Sequence, residues 1–142
     1  MVVIRRLGLY LTAAGFVVAG VLHFVITDAY VQVMPPIFPA PRLLVLISGV
    51  AEIAGGLGLL VPRLRRAATV GLIALLVAVW PVHVWLLIEP GLAPIFPYWL
   101  LVARLPMQVP MMAWVWWVGM LPADGRHPHH QVQDRPHPPR RE

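Results

Sequence analysis

LISGVAEIAGGLGLLVPRLRR, residues 46–66, carries the conflict that decides the fold: a carboxylate, Glu52, stands inside an apolar run that closes on a proline and three arginines. From Pro41 to Val61 the only other polar side chains are Arg42 and Ser48. A run of about 20 such residues is the length of a membrane-crossing helix. A charge at its centre costs roughly 3 kcal/mol on insertion scales. Residues of this kind are usually partnered and often functional, so the rest of the chain is read as supplying Glu52 with surroundings that tolerate it.

Composition agrees. Of 142 residues, 59% are hydrophobic and 12% charged, more apolar than a soluble domain of this size needs for its core. The eleven basic residues are all arginine, and most lie outside the apolar runs. Cysteine is absent, so the chain forms no disulfide and carries no dithiol chemistry of its own, and a redox role requires a bound cofactor or a partner.

Four apolar helices are expected, over residues 2–26, 42–61, 67–88 and 98–121, in one transmembrane domain of residues 1–121. The first is longer than the apolar core of a signal peptide and is read as an uncleaved anchor. The proline-rich run 27–41 is expected to be a non-helical connection, 62–66 a tight basic turn, and Pro81 a kink in the third helix. Residues 122–142, rich in His, Pro and Arg, are expected to form a disordered tail whose arginines meet anionic lipid. The tetrapeptide Pro-Ile-Phe-Pro at 36–39 recurs at 94–97, which is compatible with two hairpins related by an axis along the membrane normal or with coincidence in a Pro-rich chain, and the helices that follow share little else.

Flanking charge sets the orientation. Arg5 and Arg6, then Arg63, Arg65 and Arg66, then the arginines of the tail lie on one side, which the positive-inside rule makes cytoplasmic. The other two connections hold Asp28, Glu89 and a single edge arginine, bordered by Tyr30, Trp85, Tyr98 and Trp99 as an interfacial aromatic belt. The expected architecture is an all-α, integral membrane four-helix bundle with both termini cytoplasmic, multi-pass in the plasma membrane.

Within the helices, His23, Ser48, Glu52, His83, Arg104 and Gln108 all fall in the half farthest from the arginine clusters, about 6 to 15 Å deep at 1.5 Å per residue. One shared polar pocket opening outward is the economical explanation. Ser48 and Glu52 are four apart, as are Arg104 and Gln108, so the second and fourth helices are expected to present polar faces to each other, with Glu52 and Arg104 as a buried ion pair that fixes packing, handles a ligand, or both. Pro81, Pro106 and Pro110 free carbonyls beside these residues. Gly15 with Ala19, Ala51 with Gly55, and Ala54 with Gly58 are expected at close helix contacts. The blander reading of His23 and His83 is that of neutral, satisfied histidines. A metal held by His23, His83 and Glu52 would be repelled by Arg104, so none is expected.

His23-Phe24, the loop ending Ile37-Phe38-Pro39-Ala40-Pro41, Ser48-Gly49 followed by Glu52-Ile53, Gly56, Gly58-Leu59-Leu60, Pro81, and Arg104-Leu105-Pro106 with Gln108 together resemble the DoxX-like family of small four-helix membrane proteins. The resemblance covers residues 5–121. It implies a redox neighbourhood, since the family takes its name from a membrane subunit linked to quinone-dependent sulfur oxidation and some relatives belong to oxidative-stress complexes. His83 stands where the family pattern has asparagine.

Three functions are compatible with this reading. The first is a quinone-binding accessory subunit with a membrane or peripheral redox partner, in which Arg104, Gln108 or a histidine donates to a carbonyl and Glu52 or a histidine moves the proton. The second is a non-enzymatic binding or transport element for a small apolar ligand. The third is a structural assembly subunit. No nucleophile, haem-attachment or dinucleotide motif identifies catalytic residues. The basicity points to lipid and not to nucleic acid, because no folded basic surface with stacking aromatics is available.

Overall fold

The computed structural model describes residues 2–92 and 97–120. These residues are all-helical: α1 (Val2–Val25), α2 (Thr27–Gln32), α3 (Pro41–Leu60), α4 (Arg65–Ala78), α5 (Trp80–Ile88), a 3-10 turn (Pro90–Leu92) and α6 (Tyr98–Gly119). The expected tail and most of the second Pro-Ile-Phe-Pro copy lie outside the described residues.

Three segments are long and apolar enough to cross a membrane: Val3–Val25, Pro41–Leu60, and Arg65–Ile88, the last combining α4 and α5. Large apolar side chains such as Val3, Leu11, Leu43, Ile47, Val50 and Trp99 lie exposed on the outer surface, a coat suited to lipid and not to water. The chain is thus a helical membrane protein. The 22-residue α6 is also long enough, but Arg104, Gln108, two prolines and four tryptophans make it less apolar than the other three.

α1 packs on α3, α3 on α4, α4 on α6, and α6 returns to α1. In this order α3 and α6 are diagonal. The expected seam between the second and fourth helices is therefore replaced by the α1–α3 and α4/α5–α6 seams. At the arginine-rich end the core is dry, with Leu9, Ala13, Leu59, Leu72, Val115 and Val118 all buried together. Arginines close the helix ends there: Arg65 Nε donates to the Leu59 carbonyl at 2.8 Å, and Arg5 donates to the Trp117 carbonyl while its guanidinium lies 5.1 Å from the centroid of the Trp117 ring. Each supplies a donor, and a positive charge, to carbonyls left without helical partners at a C-terminus.

The reading of 27–41 as non-helical is corrected at its start, and the kink expected at Pro81 is present as a break at Val79. Residues 27–32 form α2, because the prolines begin only at Pro35 and Asp28 sits favourably in the first turn of this short helix. The third long segment begins at Arg65 and is broken at Val79 into α4 and α5, with Pro81 in the first turn of α5, where its missing amide is least costly. The close contacts also differ in part. A Cβ on Gly15 would meet nothing within 4 Å, whereas one on Gly20 would lie 2.6 Å from the Gly49 carbonyl oxygen and one on Gly49 only 2.7 Å from the His23 Cβ. Gly55 and Gly58 do face a neighbour, at Leu72 and Ala68 of α4.

Candidate functional site

The α1–α3 crossing places the first polar cluster. Because Gly20 and Gly49 let the two backbones touch, His23 on α1 lies directly against α3, and its Nδ1 is 3.5 Å from Glu52 Oε2. Both side chains are nearly covered, at 11% and 15% exposure. The same Nδ1 is 2.9 Å from the Ala19 carbonyl, which only accepts, so Nδ1 carries a proton and donates to it. At 3.5 Å the Glu52 contact is too long to count as a second hydrogen bond. Glu52 Oε2 is buried with no hydrogen-bond partner.

Tyr30, read from sequence only as part of an aromatic belt, belongs to this cluster. Its ring stacks on His23 with centroids 4.1 Å apart and planes 15° from parallel. Burial, and after it the Glu52 carboxylate, raise the Tyr30 phenol above its ordinary value of 10.0, while Arg104 works in the opposite direction. Arg104, on the far helix of the diagonal, is thus within electrostatic reach of the same phenol that senses Glu52. Helical spacing does not reveal this contact, because the path bends at Ile26 between His23 and Tyr30, and it is the bend that brings the Tyr30 ring over His23.

The second cluster lies across the bundle. Gln108, buried on α6, donates through Nε2 to the Leu76 carbonyl at the end of α4, beside the break at Val79. That bond fixes the amide orientation, so Oε1 faces His83 and accepts from its Nδ1 at 3.2 Å. Arg104 is within electrostatic reach of His83 as well. Ser48 is half-buried one turn before Glu52 on α3.

Five of the six residues singled out from sequence therefore fall into a His23–Glu52 group extended by Tyr30, a His83–Gln108 group, and Arg104 within electrostatic reach of both, while Ser48 is placed only by its position one turn from Glu52. A cavity of about 610 Å³ lies beside them and not among them, an apolar groove between the proline loop at Pro35 and Phe38 and the α4–α5 break at Trp80, Pro81 and Trp85. Among the described residues no three His, Asp or Glu side chains gather as a metal-binding group.

All six residues lie within the span 12–119 that matches a family model described as a domain of unknown function. The chain belongs to that family, DUF8561. No curated protein and no solved structure matches the chain.

Proposed function

We propose that the protein crosses the plasma membrane four times with both termini cytoplasmic, and that it is an accessory subunit of a redox complex, binding a quinone in the outer half of the bundle. The observation that carries this reading is Glu52 Oε2, a buried acceptor with no partner, 3.5 Å from a histidine nitrogen. An acceptor so placed fits a ligand that brings its own O–H donor, because an unpartnered carboxylate oxygen in low dielectric is otherwise a standing cost.

The residues divide the work. Glu52 would accept a hydrogen bond from a ligand hydroxyl and would take that proton when the redox partner withdraws the electrons of a bound hydroquinone; His23, its Nδ1–H held by the Ala19 carbonyl, would position the carboxylate; Arg104 would supply a donor for a ligand carbonyl. A bound quinone supplies the two-electron, two-proton chemistry for which the chain, lacking cysteine, has no side chains of its own. The resemblance to DoxX-like proteins supports the same assignment. The 610 Å³ apolar groove favours a second reading, a non-enzymatic carrier of a small apolar ligand.

The test is purification in native-lipid particles followed by quantification of quinone per chain against the surrounding lipid. The wild type should be enriched, and Glu52→Leu should fall to the bulk level. Equal quinone in both assigns Glu52 to packing alone. A reporter after residue 120 should be cytoplasmic and one within residues 28–35 external; the reverse overturns the orientation.

A further inference from the structure

We propose that α2 is a hinged cap over the His23–Glu52 pair, held closed by two latches: the Tyr30 ring on His23, and the Asp28–Arg42 ion pair between α2 and the start of α3. The hinge is Ile26. There the helical path is interrupted at φ −123° and ψ 40°, and α2 sets off in a new direction. Backbone bonds continue through the bend, from Ile26 N to the Leu22 carbonyl at 2.9 Å and from Ala29 N to the Ile26 carbonyl at 3.1 Å. The pivot is tied to α1 by the buried Thr27, whose hydroxyl lies 2.7 Å from the His23 carbonyl and 3.1 Å from that of Phe24.

Beyond the pivot, α2 has six residues, too few to be stable as an isolated helix. Its position depends on what it touches. One contact is the stacked Tyr30–His23 pair; another is Arg42 Nη1 to Asp28 Oδ1 at 2.9 Å. The ion pair is largely exposed, 67% at Arg42 and 87% at Asp28, and such pairs hold weakly. Val33, which ends α2, also rests on Leu86 and Leu101, so the exposed ion pair is the weakest of the contacts holding α2 over two polar side chains that are nearly sealed with it in place. The ligand class admitted is one that presents a hydrogen-bond donor to Glu52 Oε2. That assignment rests on the proposed function, whereas the cap and its latches do not.

Histidine carbethoxylation tests the cap without any ligand. Diethyl pyrocarbonate attacks a ring nitrogen that has a free lone pair; with Nδ1 donating to Ala19, the reactive atom of His23 is Nε2. The full chain in detergent is treated briefly, and His23 modification is read by peptide mass spectrometry relative to His83, which belongs to the other cluster. Asp28→Asn and Arg42→Gln should each raise the His23-to-His83 ratio about two- to fivefold, as expected for loss of an exposed ion pair. The charge reversal Asp28→Arg with Arg42→Asp should return it to the wild-type value. A ratio unchanged in both single variants, or raised as much in the reversal, overturns the cap. Neither outcome depends on quinone, so the cap and the proposed ligand fail separately.

Discussion

The two seams of the bundle solve the same problem in different ways. On the α4/α5–α6 side the break at Val79 is met by Gln108, whose amide donates to the Leu76 carbonyl and whose oxygen accepts from His83, so this amide is matched at both ends, while Trp85 Nε1 on α5 is a buried donor without a partner. On the α1–α3 side there is no such side chain. His23 is held by Ala19 and stacked by Tyr30, and Glu52 Oε2 is left unmatched. A closed network in low dielectric rigidifies the helices that contribute to it, whereas an open one leaves a buried acceptor that a ligand can satisfy. The His23–Glu52 group is therefore where the proposed ligand binding is put to the test, and the His83–Gln108 group is where packing is.

The largest effect should come from the contact that makes the open half. A Cβ at Gly49 would lie 2.7 Å from the His23 Cβ and 2.9 Å from the Gly20 carbonyl oxygen, so Gly49→Leu must force α1 from α3. Overpacking against backbone should cost more than about 3 kcal/mol, read as loss of the folded monodisperse species in detergent. Retention of wild-type thermal stability would mean the helices do not cross there. Next, Gln108→Leu strands the Leu76 carbonyl and the His83 N–H, at about 1–3 kcal/mol for each group left unpaired. The melting temperature should fall by several degrees; no fall would mean the second half is not closed by this residue.

A smaller effect separates the partners of Glu52. In double-mutant cycles with Glu52→Gln, His23→Asn should show coupling of about 0.5–3 kcal/mol, and Arg104→Gln less, since Arg104 lies on the diagonal helix. Stronger coupling to Arg104 would restore the ion pair expected from sequence and make the diagonal the organising contact.

The helices were legible because apolar runs of membrane length, bounded by prolines and arginines, leave few alternatives. The six polar residues were legible for a similar reason: a polar side chain is costly in lipid wherever the helix carrying it packs. Their partners were not. Depth along a helix is fixed by counting residues, but rotation about the helix axis and the order of helices around the bundle are set by contacts such as Gly20 with Gly49, which a single sequence does not rank. Counting put Glu52 level with Gln108 and Arg104 level with Ser48, and the two polar faces suggested Glu52 with Arg104, whereas the packed helices bring His23 to 3.5 Å from Glu52. Tyr30 was hidden by the prolines that follow it and by the bend at Ile26, which no residue count from His23 anticipates.

Difference infrared spectroscopy on the protein in lipid nanodiscs tests the open half most directly. Addition of a hydroquinone should shift a carboxyl band of the wild type, and that shift should be missing from Glu52→Gln, because the buried oxygen has gained the donor it lacks. A carboxyl spectrum indifferent to the added ligand, or a shift that survives in Glu52→Gln, would contradict the assignment of Glu52 as the residue that meets the ligand.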